Sequence, residues 1–350
     1  MWDSKYVKSI IKTVCEQHTL PGISVCIRNN DSEWNASYGV RSMESKDSLQ
    51  VNDLFRAGST TKTLIATIIM QLKEEGSLSL NQSIMDILQG DLDINPVITI
   101  RQLLNHRSGI EDYLWIEEEG QPMLSKFDGP NEQFSPWFLV KKGFQKNPQF
   151  DPNEGYYYSN TNYIILGLII EKVTGKSLKK VMNQRLFEPL GMEQSYFPKN
   201  FSMIEPHANG HSKLTKDFQL SEEIECEYDN LNVSLAWASG ALVSTPSDLT
   251  KFMCGVFNHH IISFESLKEM MTFWDTGDDG QSYGLGLYKF KNEQKIGVGH
   301  PGGISGYETI MLHYPSEDLY LTVMINQMPA GAIMIADEIY SRLQCSKLTQ

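Results

Sequence analysis

Three short stretches of the chain carry side chains whose types and spacing suit acyl transfer. The first is Gly58-Ser59-Thr60-Thr61-Lys62, a Ser-x-x-Lys at the start of a segment with helical periodicity. Residues i and i+3 share a helical face, so the Lys62 amine can approach the Ser59 hydroxyl. A free serine is a poor nucleophile at neutral pH and needs an adjacent base. A lysine kept neutral by desolvation can supply one. A helix start also offers unpaired N–H groups and a positive dipole end, both useful to a developing oxyanion. Taken alone, Ser-x-x-Lys arises by chance in many chains, and serine is a common N-cap.

The second stretch is Tyr158-Ser159-Asn160, directly before an apolar run that begins near Thr161. A spacing of two sends Tyr158 and Asn160 to the same side of an extended segment. A phenol beside a cationic lysine has its pKa lowered and can shuttle protons, and an asparagine amide can hold a substrate carbonyl. A turn with a Ser or Asn N-cap and a packed tyrosine leaves the same trace. The third is His300-Pro301-Gly302-Gly303, at the end of a predicted strand. Glycines there let a substrate backbone lie along the strand edge, with an N–H free for an acyl oxygen. His300 could transfer protons or orient a carboxylate. It also fits as an ordinary turn or edge residue.

The elements that must position these groups are legible from periodicity. Val7, Ile10, Ile11 and Val14 predict a helix over Tyr6–His18, and Leu64, Ile65, Ile68, Ile69 and Leu72 a buried one over Thr61–Glu75, ended by Gly76. A second buried helix is expected over Thr161–Lys172, apolar nearly all round, and a further helix over Ser177–Leu186. Ile23–Ile27 and Glu33–Val40 read as a hairpin around Asn29-Asn30-Asp31-Ser32. Strand patterns return at Tyr283–Phe290, Ile296–His300, Tyr307–His313 and Leu319–Ile325, and Ala330–Leu343 closes the chain as a helix. Between the halves, Tyr113–Phe150 is aromatic-rich and longer than an ordinary connection, which predicts a functional lid or a poorly ordered segment.

Composition narrows the function classes. The 350 residues carry a formal charge of −13, with scattered Lys and Arg, which argues against a nucleic-acid partner. No run reaches the roughly 18 apolar residues of a membrane span. The 5 cysteines are odd in number and widely spaced, so neither a disulfide framework nor a zinc site is expected. No cofactor or metal is expected: His207-x-x-x-His211 lacks a Glu beside the first His, and Pro206 and Gly210 argue for a loop. The acidic residues Glu222, Glu223, Glu225, Glu227 and Asp229 read as a solvated face, as do Glu117–Glu119. There is no Gly-x-Ser-x-Gly elbow. Met1-Trp2-Asp3-Ser4 lacks the basic start and apolar core of a signal peptide. A chain beginning natively at Met1 is therefore expected in the cytoplasm, and one trimmed of a leader in the periplasm or outside the cell.

In order along the chain, Ser-x-x-Lys, Tyr-x-Asn and His-x-Gly resemble the serine β-lactamase-like and penicillin-binding superfamily, in the branch of class C β-lactamases, serine DD-peptidases and related esterases. The resemblance covers roughly residues 15 to 345. It includes Leu103-Leu104-Asn105-His106-Arg107-Ser108-Gly109-Ile110, Pro189-Leu190-Gly191-Met192, Ser239-Gly240-Ala241-Leu242-Val243-Ser244-Thr245 and Tyr283-Gly284-Leu285-Gly286. It implies an α/β fold, with an antiparallel sheet built from both termini, flanked by helices and interrupted by a mostly helical insertion. The expected division is 1–80 and 235–350 for the α/β part and 81–234 for the insertion.

The resemblance also implies roles. Ser59 matches the acylated nucleophile, Lys62 its base and Tyr158 the proton relay. Asn160 matches the contact to a substrate amide, and the N–H groups of Ser59 and Gly303 an oxyanion hole. His300-Pro301-Gly302 departs from the Lys-Thr-Gly of β-lactamases and is closer to carboxypeptidase and esterase members. His106 is expected to make a structural hydrogen bond. The implied activity is a serine hydrolase acting through an acyl-enzyme, D-alanyl-D-alanine carboxypeptidase-like or esterase-like. Its expected partners are a small-molecule or peptide-like acyl substrate and β-lactams as covalent ligands. The alternative is a non-catalytic relative that binds or self-assembles.

Overall fold

The computed structural model describes residues 2–29, 32–88, 98–128, 132–198, 201–214, 220–228, 230–291 and 295–345. Helix α1 (Ser4–Gln17) begins at Asp3, whose side chain accepts from the N–H of Lys5, and buries Val7, Ile10, Ile11 and Val14. Strands β1 (Gly22–Arg28) and β2 (Glu33–Gly39) form the expected hairpin, while Asn30 and Asp31 of its turn lie outside the described residues. Helix α2 (Thr61–Glu74) and helix α3 (Asn160–Thr174) are the two buried helices, and α3 ends on Gly175 in the left-handed conformation. Helix α4 (Pro246–Phe257) is N-capped by Thr245.

The C-terminal strands are β3 (Trp274–Asp275), β4 (Gln281–Tyr283), β5 (Tyr288–Lys291), β6 (Ile296–Ile304), β7 (Tyr307–Tyr314) and β8 (Leu319–Ile325), followed by α5 (Ala332–Cys345). Together with β1 and β2 they make an eight-stranded antiparallel sheet in the order β2-β1-β8-β7-β6-β5-β4-β3. The sheet thus joins the two ends of the chain, with β1 paired to β8 from Ile23↔Ile325 to Arg28↔Tyr320.

Period-two alternation explains the layering. Ile23, Val25 and Ile27 of β1 and Leu321, Val323 and Ile325 of β8 face α1 and α5 in one core. The opposite face carries Met311, Tyr320 and Met324 into the larger core, which includes α2, α3 and α4. Thr250 of α4 and Thr322 of β8 share a hydroxyl contact of 2.8 Å across that face. Each fully buried Ile, Leu or Val contributes about 1.5–3 kcal/mol.

Two expectations need correction. Tyr283–Phe290 is not one strand: Gly284–Leu287 forms a tight turn, with the Gly284 N–H bonded to the Leu287 carbonyl at 2.8 Å and Gly286 at φ +73°, so Tyr283 pairs with Tyr288. Ser177–Leu186 is an α-helix only over Leu178–Met182, then widens to a π-turn over Asn183–Phe187. The aromatic-rich middle stretch holds an α-helix at Pro136–Gly143 and 3-10 turns at Tyr113–Trp115 and Met123–Asp128. Among the described residues no helix is long and apolar enough to cross a membrane.

Candidate active site

Strand β5 pairs with β6 only from Ile296 to Gly299, so His300–Ile304 project beyond it. The 3-10 turn Gly58–Thr60 at the start of α2 occupies that edge. The approach is backbone to backbone. A Cβ on Gly302 would lie 2.1 Å from the Ala57 carbonyl oxygen, and one on Gly58, at φ +55°, would lie 2.8 Å from the Gly303 nitrogen. Hydroxyls tie the turn down, Thr60 to the Ala57 carbonyl at 2.9 Å and Thr61 to the Gly58 carbonyl at 2.7 Å. Ser59 and Gly303 consequently meet on the wall of one cleft, with the Gly303 backbone exposed.

Lys62 lies one turn further along and is fully buried. Its Nζ is 2.9 Å from Ser59 Oγ, 2.8 Å from Asn160 Oδ1 and 2.7 Å from the Ser239 carbonyl oxygen. An ammonium would donate to all three. A neutral amine can donate to Asn160 and Ser239 and turn its lone pair to the Ser59 hydroxyl. Burial lowers the Lys62 pKa from 10.5 to about 7, against the opposing pull of the Asp112 carboxylate. The base form is therefore well populated at neutral pH.

Tyr158 and Asn160 enter from the extended lead-in to α3. The Tyr158 hydroxyl is hydrogen-bonded to Ser59, and Lys62 Nζ lies 4.9 Å from its ring centre. The expected lowering of this phenol does not occur. Burial, and the neighbouring phenols of Tyr288 and Tyr163, hold it well above its ordinary value. Tyr158 is therefore a neutral hydroxyl, able to donate and accept but not resident as a phenolate.

His300 is placed differently from the expectation of a proton carrier or carboxylate ligand at the cleft. It is fully buried, with Nδ1 2.6 Å from the Pro301 carbonyl and Nε2 3.0 Å from the Tyr283 hydroxyl. Nδ1 must donate to the carbonyl, and with the ring held neutral by burial Nε2 accepts from the phenol. Burial, reinforced by Lys62, lowers its pKa to about 3. His106, at φ +57°, accepts the Ser159 N–H at Nδ1 (3.1 Å) and packs at a tilt against the Tyr158 ring, with ring centres 4.2 Å apart. It holds the Tyr158-Ser159-Asn160 lead-in.

Several groups at this site carried no sequence signal of their own. Asp112 is buried, and its Oδ2 accepts from Asn160 Nδ2 at 2.7 Å. Ser239 contributes a backbone carbonyl and Tyr283 holds His300. Both stand in stretches whose motifs pointed to the superfamily, and Asp112 follows such a stretch by two residues. The cleft has a volume of about 140 Å³. Tyr113, Leu114, Leu124 and Phe127 from the aromatic-rich stretch wall it together with Ile304 and Met328, while Trp115 stands away from it and is 56% exposed. Among the described residues that line it, none is Lys, Arg or His. Elsewhere, His211 is tied to Glu227 and the Asn326 carbonyl, and the described residues hold no group of three His, Cys, Asp or Glu able to ligate a metal.

Comparison with known proteins finds relatives of the chain. Penicillin-binding protein 4* of Bacillus subtilis (strain 168) is 29% identical over 323 residues, covering 89% of this chain and 69% of that protein. The chain thus spans about two thirds of that relative, and 38% of the length of Protein flp of Staphylococcus aureus (strain COL). A D-stereospecific amidohydrolase from Streptomyces sp. superposes with a TM-score of 0.81 at 28% identity, over 96% of this chain and 98% of that one. The D-amino acid amidase of Ochrobactrum anthropi SV3, solved with L-phenylalanine amide, gives 0.86 at 25% identity, over 99% and 100%. The family model described as Beta-lactamase matches residues 7–345, and the chain belongs to that family.

Proposed function

We propose that this protein is a serine hydrolase working through an acyl-enzyme on amide or ester bonds. The observation that carries the reading is Lys62 Nζ, 2.9 Å from Ser59 Oγ, with a pKa brought down to about 7 by burial. Ser59 Oγ attacks the carbonyl carbon and passes its proton to Lys62. The N–H groups of Ser59 and Gly303 receive the oxyanion. Collapse breaks the C–N or C–O bond, and a proton reaches the leaving group through Tyr158. Water then adds to the acyl carbon with the same groups in reverse, restoring Ser59. Asn160, on the cleft wall, keeps one N–H free of Asp112 for a substrate carbonyl.

The substrate class we infer is an amide or ester with an apolar acyl portion and an uncharged leaving group. What supports this is the apolar lining by Leu114, Leu124, Phe127, Ile304 and Met328, without a described cation to receive a terminal carboxylate. The amidohydrolase and amidase among the similar structures agree with an amide substrate. A carboxypeptidase would need a carboxylate site that His300, buried and neutral, does not supply.

Intact mass after incubation with a fluorophosphonate or a penicillin tests the mechanism. A single adduct, absent in Ser59→Ala, is expected, and no adduct on the native protein overturns the reading. Rates on a D-amino acid amide, a p-nitrophenyl ester, nitrocefin and a D-Ala-D-Ala peptide test the class. The amide or ester should be fastest, and preference for the free-carboxylate peptide would reverse the substrate assignment.

A further inference from the structure

Asp112 opens the 3-10 turn Tyr113–Trp115, where its Oδ1 accepts the N–H of Leu114 at 3.1 Å. Its Oδ2 accepts from Asn160 Nδ2 at 2.7 Å, and Asn160 Oδ1 faces Lys62 Nζ at 2.8 Å. An amide can present either end to a neighbour, but a carboxylate on one side admits only the NH₂ group there. The amide oxygen is thereby committed to the lysine. Glu111, next in the chain, does not compete for this place. Its carboxylate is engaged by the Tyr157 hydroxyl at 2.5 Å, the Gln149 amide at 2.7 Å and the Asp112 N–H at 3.0 Å.

We infer that Asp112 is a positioning residue for acylation, acting on Lys62 through the Asn160 amide. The inference rests on the serine-hydrolase reading above. The other titratable groups around Lys62 are His106 from the loop before Asp112, His300 from β6, and the phenols of Tyr158 in the lead-in to α3 and Tyr163 in its first turn. Burial holds both histidines neutral and both phenols protonated, so Asp112 supplies the opposing anion to a lysine gaining a proton. Burial raises the Asp112 pKa overall, against the opposing pull of the hydrogen bonds it accepts from Leu114 and Asn160 and of the Lys62 charge. When Ser59 gives up its proton, the new ammonium is held by Asn160 Oδ1 and the Ser239 carbonyl, with the carboxylate behind the amide.

The test is the second-order rate of Ser59 labelling by a fluorophosphonate, read against pH on the full chain, with melting temperatures alongside. Asp112→Ala should slow labelling about tenfold or more, because the amide is free to turn. Its acid limb should fall by about one pH unit, because an anion that favours the ammonium has gone. Asp112→Asn should recover part of the rate, since its one amide oxygen can accept from Asn160 by giving up the Leu114 N–H, while the limb stays low. Wild-type rates and limb in both variants overturn the inference. So does equal slowing of both with an unmoved limb, the mark of a merely structural role. Should neither variant fold, Asn160→Ala cuts the same link: a lowered limb is expected, and an unmoved one overturns it. Failure of the native protein to be labelled at Ser59 would instead remove the hydrolase reading beneath it.

Discussion

Gly302 and Ala57 are in backbone contact: a Cβ on Gly302 would stand 2.1 Å from the Ala57 carbonyl oxygen. That approach is what sets β6 beside the turn carrying Ser59. Gly302→Ala must therefore push the strand from the turn or strain both, at a cost of about 1–3 kcal/mol for an overpacked site. We expect a lowered melting temperature together with strongly reduced Ser59 labelling. Wild-type labelling in Gly302→Ala would show that the turn does not need this contact.

Lys62 sets the pH dependence. Its pKa is lowered to about 7, and the base form is the active one, so acylation should rise with pH through about 7 and level off above it. At lower pH the amine is protonated and has no lone pair for Ser59. Lys62→Ala should lose about 10²–10⁴-fold, the usual weight of a positioned general base. A profile flat from pH 5 to 9 would contradict this role.

His300 should contribute no inflection of its own near neutrality, because its pKa lies at about 3. Removing its ring takes away the 3.0 Å partner of the buried Tyr283 hydroxyl and leaves it the longer 3.5 Å contact with the Tyr163 hydroxyl. His300→Ala is expected to lose about 0.5–1.5 kcal/mol of stability for the lost hydrogen bond. The acid limb of acylation should keep the position set by Lys62. A limb displaced towards pH 6.5 on restoring the histidine would instead identify it as a titrating catalytic group.

Phe127 and Met328 wall the cleft from the aromatic-rich stretch and from beyond β8. Phe127→Ala should open space for longer acyl chains. The ratio of rates on long and short p-nitrophenyl esters should rise about tenfold, the scale of one or two methylenes in an apolar pocket. An unchanged ratio would place acyl recognition elsewhere.

Much of the fold and part of the site were legible from order alone. Ser59 and Lys62 are three residues apart on one helical start, and Tyr158 and Asn160 two apart on an extended lead-in. Local geometry brings each pair together whatever the rest of the chain does. Alternation in β1 and β8 and the apolar faces of α2 and α3 were likewise readable, because burial imposes those periods. Asp112 was not legible. A single carboxylate after a loop motif carries no period, and its role depends on an Asn160 amide 48 residues later.

The sequence by itself determined which chemistry the chain could hold: a hydroxyl and an amine at helical spacing, a phenol and an amide at strand spacing, and glycines where backbones must touch. The tertiary structure decided their states, because solvent exclusion and long-range neighbours are not properties of a local pattern. Complete burial turned Lys62 into a base near neutrality, kept Tyr158 a neutral phenol and withdrew His300 from the cleft to hold Tyr283. Desolvation disfavours the charged form of every such group, and only the fold fixes which of them finds a compensating partner.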